Sequence, residues 1–182
     1  MSKENWLIFV DTNILLDFYR LRGASALSYL SKLESTKGTL LLTEQVHMEF
    51  LKHRQRVVSE ASGEIGKPAE QKLPPFLSEY QPAQMMKKQM SDAAKQHKKV
   101  KDKIEKIIEN PSANDEVYKC VNRLFKYNGA FVLGRKTEGK GRIRSLARKR
   151  FALGYPPRKK NDLSVGDAVN WEWIVHCAQK CP

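Results

Sequence analysis

Trp6-Leu7-Ile8-Phe9-Val10-Asp11-Thr12-Asn13 is the stretch on which the fold turns. Five consecutive apolar residues predict a strand buried on both faces, the kind found in parallel sheets. Asp11 follows at the carboxyl end, and a helical pattern begins at once with Ile14, Leu15, Phe18 and Leu21. In open α/β sheets, ligands bind outside the carboxyl ends of the strands. Asp11 therefore stands where chemistry is expected, and the next question is which carboxylates join it.

Further along, a second helical piece spans 25–34, Gly38 breaks the chain, and Thr39-Leu40-Leu41-Leu42 predicts a second buried strand. Thr43 is a good N-cap for a helix starting at Glu44. Strand, helix, strand, helix is the opening of an α/β fold with a parallel sheet. Residues 62–82 hold Gly63, Gly66, Pro68, Pro74, Pro75 and Pro82, and form a connection. A Lys-rich helix follows from Ala83 to Glu109, ended by Asn110-Pro111. Its apolar positions Met86, Met90, Ala93, His97, Val100, Ile104 and Ile107 make a heptad-like seam, suited to lying against another helix. Residues 62–112 are thus an inserted loop and helical arm within a single domain spanning 1–182.

Beyond the arm, an amphipathic helix covers 114–127, and 130–133 is a short apolar piece that suits strand or loop. A helix over 142–153 turns Ile143, Leu146, Ala147 and Phe151 inward, with Gly154 as its C′ residue. A last helix opens at Ser164, its inward face set by Ala168, Trp171, Val175 and Ala178.

Composition narrows the function classes. The chain has 182 residues, 41% hydrophobic and 29% charged, enough for one domain with a real core. No apolar stretch approaches the roughly 20 residues of a membrane span, and no signal peptide is evident. Cys120, Cys177 and Cys181 are too few and scattered for a disulfide framework, and Cys177 and Cys181 lack partners at zinc-site spacing. A reducing cytoplasm is the default compartment. The net charge is +13, and it is concentrated: Arg135 to Lys160 holds eleven Lys or Arg against one acid, Glu138. Such a block favours a polyanion partner, nucleic acid first, over a merely solvated loop and helix face.

Two more carboxylates draw attention. Glu49 falls at the edge of the stripe Val46, Phe50, His53 and Val57, where a charge is costly unless paired or coordinated. The simpler account of Glu49 is a buried pair with His53, one turn on, or a helix-edge salt bridge. Asp167 lies in Ser164-Val165-Gly166-Asp167, which matches a capping box with Asp in place of the usual Glu. Yet it also lies within or beside the inward face of its helix, and Gly166 permits close approach of another backbone. Asp162 is a further candidate ligand in the preceding loop, though a solvated acid accounts for it equally. Three carboxylates converging at a strand end would suit Mg²⁺ or Mn²⁺, hard ions that take oxygen ligands. No nucleophile elbow, P-loop or HExxH is present, in keeping with metal-assisted hydrolysis.

Phe9-Val10-Asp11-Thr12-Asn13 resembles the opening motif of PIN-domain nucleases. Leu42-Thr43, Val46 and Glu49 are similar to their second motif. Gly154-Tyr155-Pro156-Pro157, then Gly166-Asp167-Ala168 and Trp171, resembles the larger bacterial PIN-like branch with a long helical insertion. The resemblance covers most of the chain except the arm. It implies a three-layer α/β/α fold with a central parallel sheet, and a Mg²⁺- or Mn²⁺-dependent endoribonuclease. Asp11, Glu49 and Asp167 would then be the catalytic metal ligands. Thr12 and Asn13 would support them, Asn13 by orienting Asp11 or a water. Nucleic-acid backbone contacts would come from Arg135, Lys136, Lys140, Arg142, Arg144, Arg148, Lys149, Arg158, Lys159 and Lys160. Contacts of this kind give affinity and salt sensitivity rather than sequence choice.

That family continues past the Gly-Asp helix into another strand and a further acidic motif, and this sequence stops at Cys181-Pro182. The expectation is a truncated sheet, either because the chain is a fragment of a longer protein, or because a second copy or partner chain completes it, or because it is a shortened family member. Trp173 and the odd cysteines are expected on an uncovered or partner-facing surface. Glu172, the only later acid, is expected to be a surface charge. The competing function is a catalytically weak module that binds nucleic acid or a partner through its charge. A haloacid-dehalogenase-type phosphatase would need Asp two residues after Asp11, where Asn13 stands.

Overall fold

The computed structural model describes residues 6–21, 25–66, 72–157 and 164–180. In chain order the elements are β1 (Ile8–Phe9), α1 (Thr12–Asp17), α2 (Ser25–Ser35), β2 (Leu40–Thr43), α3 (Glu44–Gly63), α4 (Gln81–Glu109), α5 (Pro111–Asn114), α6 (Glu116–Lys126), β3 (Val132–Leu133), α7 (Lys140–Ala152) and α8 (Gly166–Lys180). They form two compact units: Met1–Arg54 with Glu116–Pro182, and Gln55–Asp115. Asp162, Arg158, Lys159, Lys160 and Cys181 lie outside the described residues.

The first unit is α/β, mostly helical around a small parallel sheet of order β1-β2-β3. Ile8 pairs with Leu40 and Phe9 with Leu41, while Leu42 pairs with Val132 and Thr43 with Leu133. The strand buried on both faces is β2, whose four residues are all buried. The N-terminal run differs from expectation. It contributes only two strand residues, and Trp6 and Ile8 are 73% and 46% exposed. The reason is position: β1 is an edge strand with one neighbour, so an apolar run there is not enclosed.

On one sheet face Leu41 and Leu133 pack with Ile143 of α7 and Trp173 and Cys177 of α8. Leu40 and Leu42 point to the other face by the two-residue period and are equally buried. Helix α7 ends as its sequence predicts. Gly154 has φ +73°, its N–H donates to Phe151 O, and the Tyr155 N–H donates to Arg150 O. This is a Schellman closure, which needs a residue free to be left-handed.

Helix α8 is rotated relative to expectation. Trp171 is 44% exposed and Ala178 is exposed. Trp173 is instead buried, at 3%, and its indole N–H donates to Phe131 O at 3.0 Å. Glu172 is not a surface charge but buried, held by the Arg150 guanidinium at 2.5 Å. A carboxylate tolerates that burial because a charge-assisted bond replaces its water.

In the second unit, α4 is a helix of 29 residues. Of its seam, Met86, Met90, His97, Ile104 and Ile107 are half-buried, whereas Ala93 and Val100 are exposed. His97 Nε2 lies 2.6 Å from Gly66 O, which ties the helix to the segment following α3. Among the described residues no helix is long and apolar enough to cross a membrane.

Candidate active site

Asp11 occupies the N-cap position of α1 with extended backbone, φ −73° and ψ 156°. A carboxylate there is favoured by the positive end of the helix. Its side chain is exposed and accepts a hydrogen bond from Asn13 Nδ2 at 3.2 Å, the partnership expected of Asn13. The next residue, Thr12, is buried, and its hydroxyl donates to Glu49 Oε2 at 3.0 Å. Gln45, one turn earlier on α3, donates to Glu49 Oε1 at 2.7 Å. Both Glu49 oxygens are therefore fixed, and by neither His53 nor a salt bridge.

The start of α8 closes on the same carboxylate. A Cβ added at Gly166 would lie 2.6 Å from Gln45 Nε2 and 2.9 Å from Glu49 Oε1. A larger residue would have to displace the ends of these two side chains, and the approach sets the half-buried Asp167 one residue from the Glu49 side chain. Thr43 locks the assembly from behind. Its hydroxyl donates to Asn170 Oδ1 at 2.6 Å and accepts from the Val46 N–H at 3.2 Å. The second bond is the N-cap expected of Thr43. Asp11 caps α1 just after β1, Glu49 stands on α3, which follows β2, and Asp167 on the first turn of α8, next to the glycine that packs against Glu49. The ends of parallel strands are where such sheets bind ligands.

Sequence reasoning missed Gln45 and Asn170. The available signal was spacing: Gln45 lies four residues before Glu49, and Asn170 four after Gly166, so each shares a helix face with a residue already singled out.

The basic block adjoins this cluster. Glu44 accepts from Lys140 at 2.6 Å and Arg135 at 2.7 Å, with Arg144 at 3.9 Å. The Lys140 bond, followed by that of Arg135, holds the Glu44 carboxyl below its usual range against the opposing effect of burial. A crevice of about 40 Å³ between α3, α7 and α8 is lined by Glu44, Gln45, Lys140, Arg144 and Val169. Lys136, Arg142, Arg148 and Lys149 are exposed.

Asp11, Glu49 and Asp167 are an all-oxygen donor set of the kind hard divalent ions take. Each Glu49 oxygen accepts one hydrogen bond and retains a second lone-pair site. As the side chains stand, no three His, Cys, Asp or Glu among the described residues are grouped closely enough to hold an ion.

A small parallel sheet with helical additions, and acidic residues on the segments that follow its strands, is the setting of a known class. Residues 8–182 match the family model of the PIN domain, and the chain belongs to that family. PIN domains are in general nuclease-type proteins that bind nucleic acid and depend on divalent metals. No curated protein and no solved structure matches the chain.

Proposed function

We propose that this chain is a Mg²⁺- or Mn²⁺-dependent nuclease that hydrolyses phosphodiester bonds in RNA. Asp11, Glu49 and Asp167 would hold the ion, and Asp162 is a candidate fourth oxygen donor. The observation that carries the reading is the joint hold on Glu49: Thr12, which follows Asp11, donates to it, and Gly166, which precedes Asp167, packs against it. A bound ion would supply charge neutralisation at the phosphate and acidify an attacking water. The chain's own part is to orient. Thr12 and Gln45 fix the Glu49 carboxylate plane, Asn13 steadies Asp11, and the cations around Glu44 would hold the phosphate backbone beside them.

RNA is the substrate we propose for these three acidic motifs, which resemble those of PIN-domain nucleases, and DNA is the alternative that the same assay reads. The domain would act as one nuclease body carrying the 62–112 arm, in the cytoplasm, alone or with a second copy or partner chain against the exposed β1 edge. Cleavage of mixed RNA and DNA in Mn²⁺ by wild type and Asp11→Asn tests the reading. RNA cleavage that Asp11→Asn abolishes supports it. Equal cleavage by the two proteins would remove Asp11 from the mechanism. If neither cleaves while both bind RNA in a salt-dependent manner, the chain is a binding module.

A further inference from the structure

Trp171 has no role in the acidic cluster or in the core. It lies four residues beyond Asp167 on α8, about 40° round the helix and about 6 Å along it, so the two share a face. The residue is 44% exposed, although both of its chain neighbours that flank it, Asn170 and Glu172, are buried.

Its surroundings are fixed rather than loose. The Arg150 guanidinium stands 6.0 Å from the Trp171 ring centre, within cation–π range. Arg150 is itself held twice, by Glu172 at 2.5 Å through Nε and by Pro156 O at 3.0 Å through Nη1. The same residue's carbonyl accepts the Tyr155 N–H in the Schellman closure of α7. Tyr155 is 56% exposed. Arg150 is therefore a fixed planar cation beside an exposed indole, and together they make one preset surface.

We propose that this surface is a stacking platform for an unpaired nucleobase of a single-stranded nucleic acid. Charge complementarity selects the occupant: the exposed Arg142 and Lys149 lie on one side of helix α7, about 80° and about 100° round from Arg150. Every base presents a π-face, so stacking selects for unpaired strand and tolerates any sequence. A duplex buries those faces within its own stack and offers only its phosphates. The platform deepens the nuclease reading, on which it rests, by assigning Trp171 as the residue that would hold an unpaired base on the helix face it shares with Asp167.

The test measures binding apart from cleavage. Full-chain Asp11→Asn is titrated by fluorescence anisotropy with short uridine and deoxythymidine homopolymers and with a duplex of the same length. Trp171→Ala and Trp171→Phe are then added to that background, with thermal melting as a check on folding. The expected result is a loss of single-strand affinity of roughly 5- to 150-fold for Trp171→Ala. Trp171→Phe retains most of the affinity, and duplex binding is unchanged in both. Unchanged single-strand affinity in Trp171→Ala overturns the proposal, as does an equal loss for single strand and duplex, or no single-strand binding by the parent. Failure of the nuclease reading is seen separately, as equal Mn²⁺-dependent cleavage by wild type and Asp11→Asn.

Discussion

Thr12 and Glu49 are thirty-seven positions apart in sequence, yet the hydroxyl of one donates to the carboxylate of the other at 3.0 Å. This bond couples the turn that carries Asp11 to the helix that carries Glu49. Thr12→Val keeps the shape and removes the donor. We expect a destabilisation of about 1–2 kcal/mol by urea unfolding. Mn²⁺-dependent cleavage should fall by a larger factor than this loss of folded protein explains. A variant with full activity would show that Gln45 alone suffices to orient Glu49.

Gly166→Ala tests the close approach of α8. Alanine is the better helix former, so propensity alone favours the substitution by up to about 1 kcal/mol. The added Cβ must instead displace Gln45 and Glu49, the far ends of flexible side chains. Stability should therefore change little while cleavage drops sharply. Adding Gln45→Ala should restore part of the lost activity, because it vacates the nearest contact. Activity of Gly166→Ala equal to wild type would mean that the Glu49 position is not critical.

Glu44 makes stability depend on acid. Its carboxyl is held below the usual value of 4.5, chiefly by the Lys140 bond. A lowered folded value contributes stability above the unfolded value, and that contribution is lost as pH falls through the folded one. The wild type should exceed Glu44→Gln by about 1 kcal/mol near neutral pH, with the gap closing below pH 4.5. Glu44→Gln should also bind nucleic acid more tightly at low salt, since Arg135, Lys140 and Arg144 lose a competing anion. Chemical unfolding across pH and a salt titration read the two effects independently.

His47 should act on stability in a different window. Burial lowers its tendency to protonate, outweighing the hydrogen bond with Asn122 and the charge of Glu44, while Lys126 adds to the lowering. The ring also stacks on Phe125 at 4.6 Å. The unfolded chain takes up the proton first, so stability should decline as pH falls below 6.5. His47→Gln should flatten that slope. An identical slope in the variant would assign it to other groups.

What was legible in the sequence was local. Thr43 as an N-cap and Gly154 as a C′ residue are each set by bonds to backbone a few residues away, and the buried run of β2 by its own composition. What was not legible depended on a partner distant in sequence. Nothing near Glu172 announces Arg150, and Trp173 is buried against Leu41, Leu133 and Ile143 with its indole on Phe131 O, all partners distant in sequence. Ile8 was misjudged because composition does not tell an edge strand from a central one. Asp11 was placed from its motif, but the hold on Glu49 by Thr12 and Gln45 came only with the fold.

Gly166 gives the site an unusual genetic signature. Its contribution is a volume left empty, so a scan that ranks positions by the chemistry of their side chains would pass over it. A scan that replaces every residue in turn and reads cleavage should find 166 sensitive, because any larger substituent displaces the ends of Gln45 and Glu49. Suppressors of such lesions should then arise on a different helix, at Gln45, where shortening a neighbour returns the missing space.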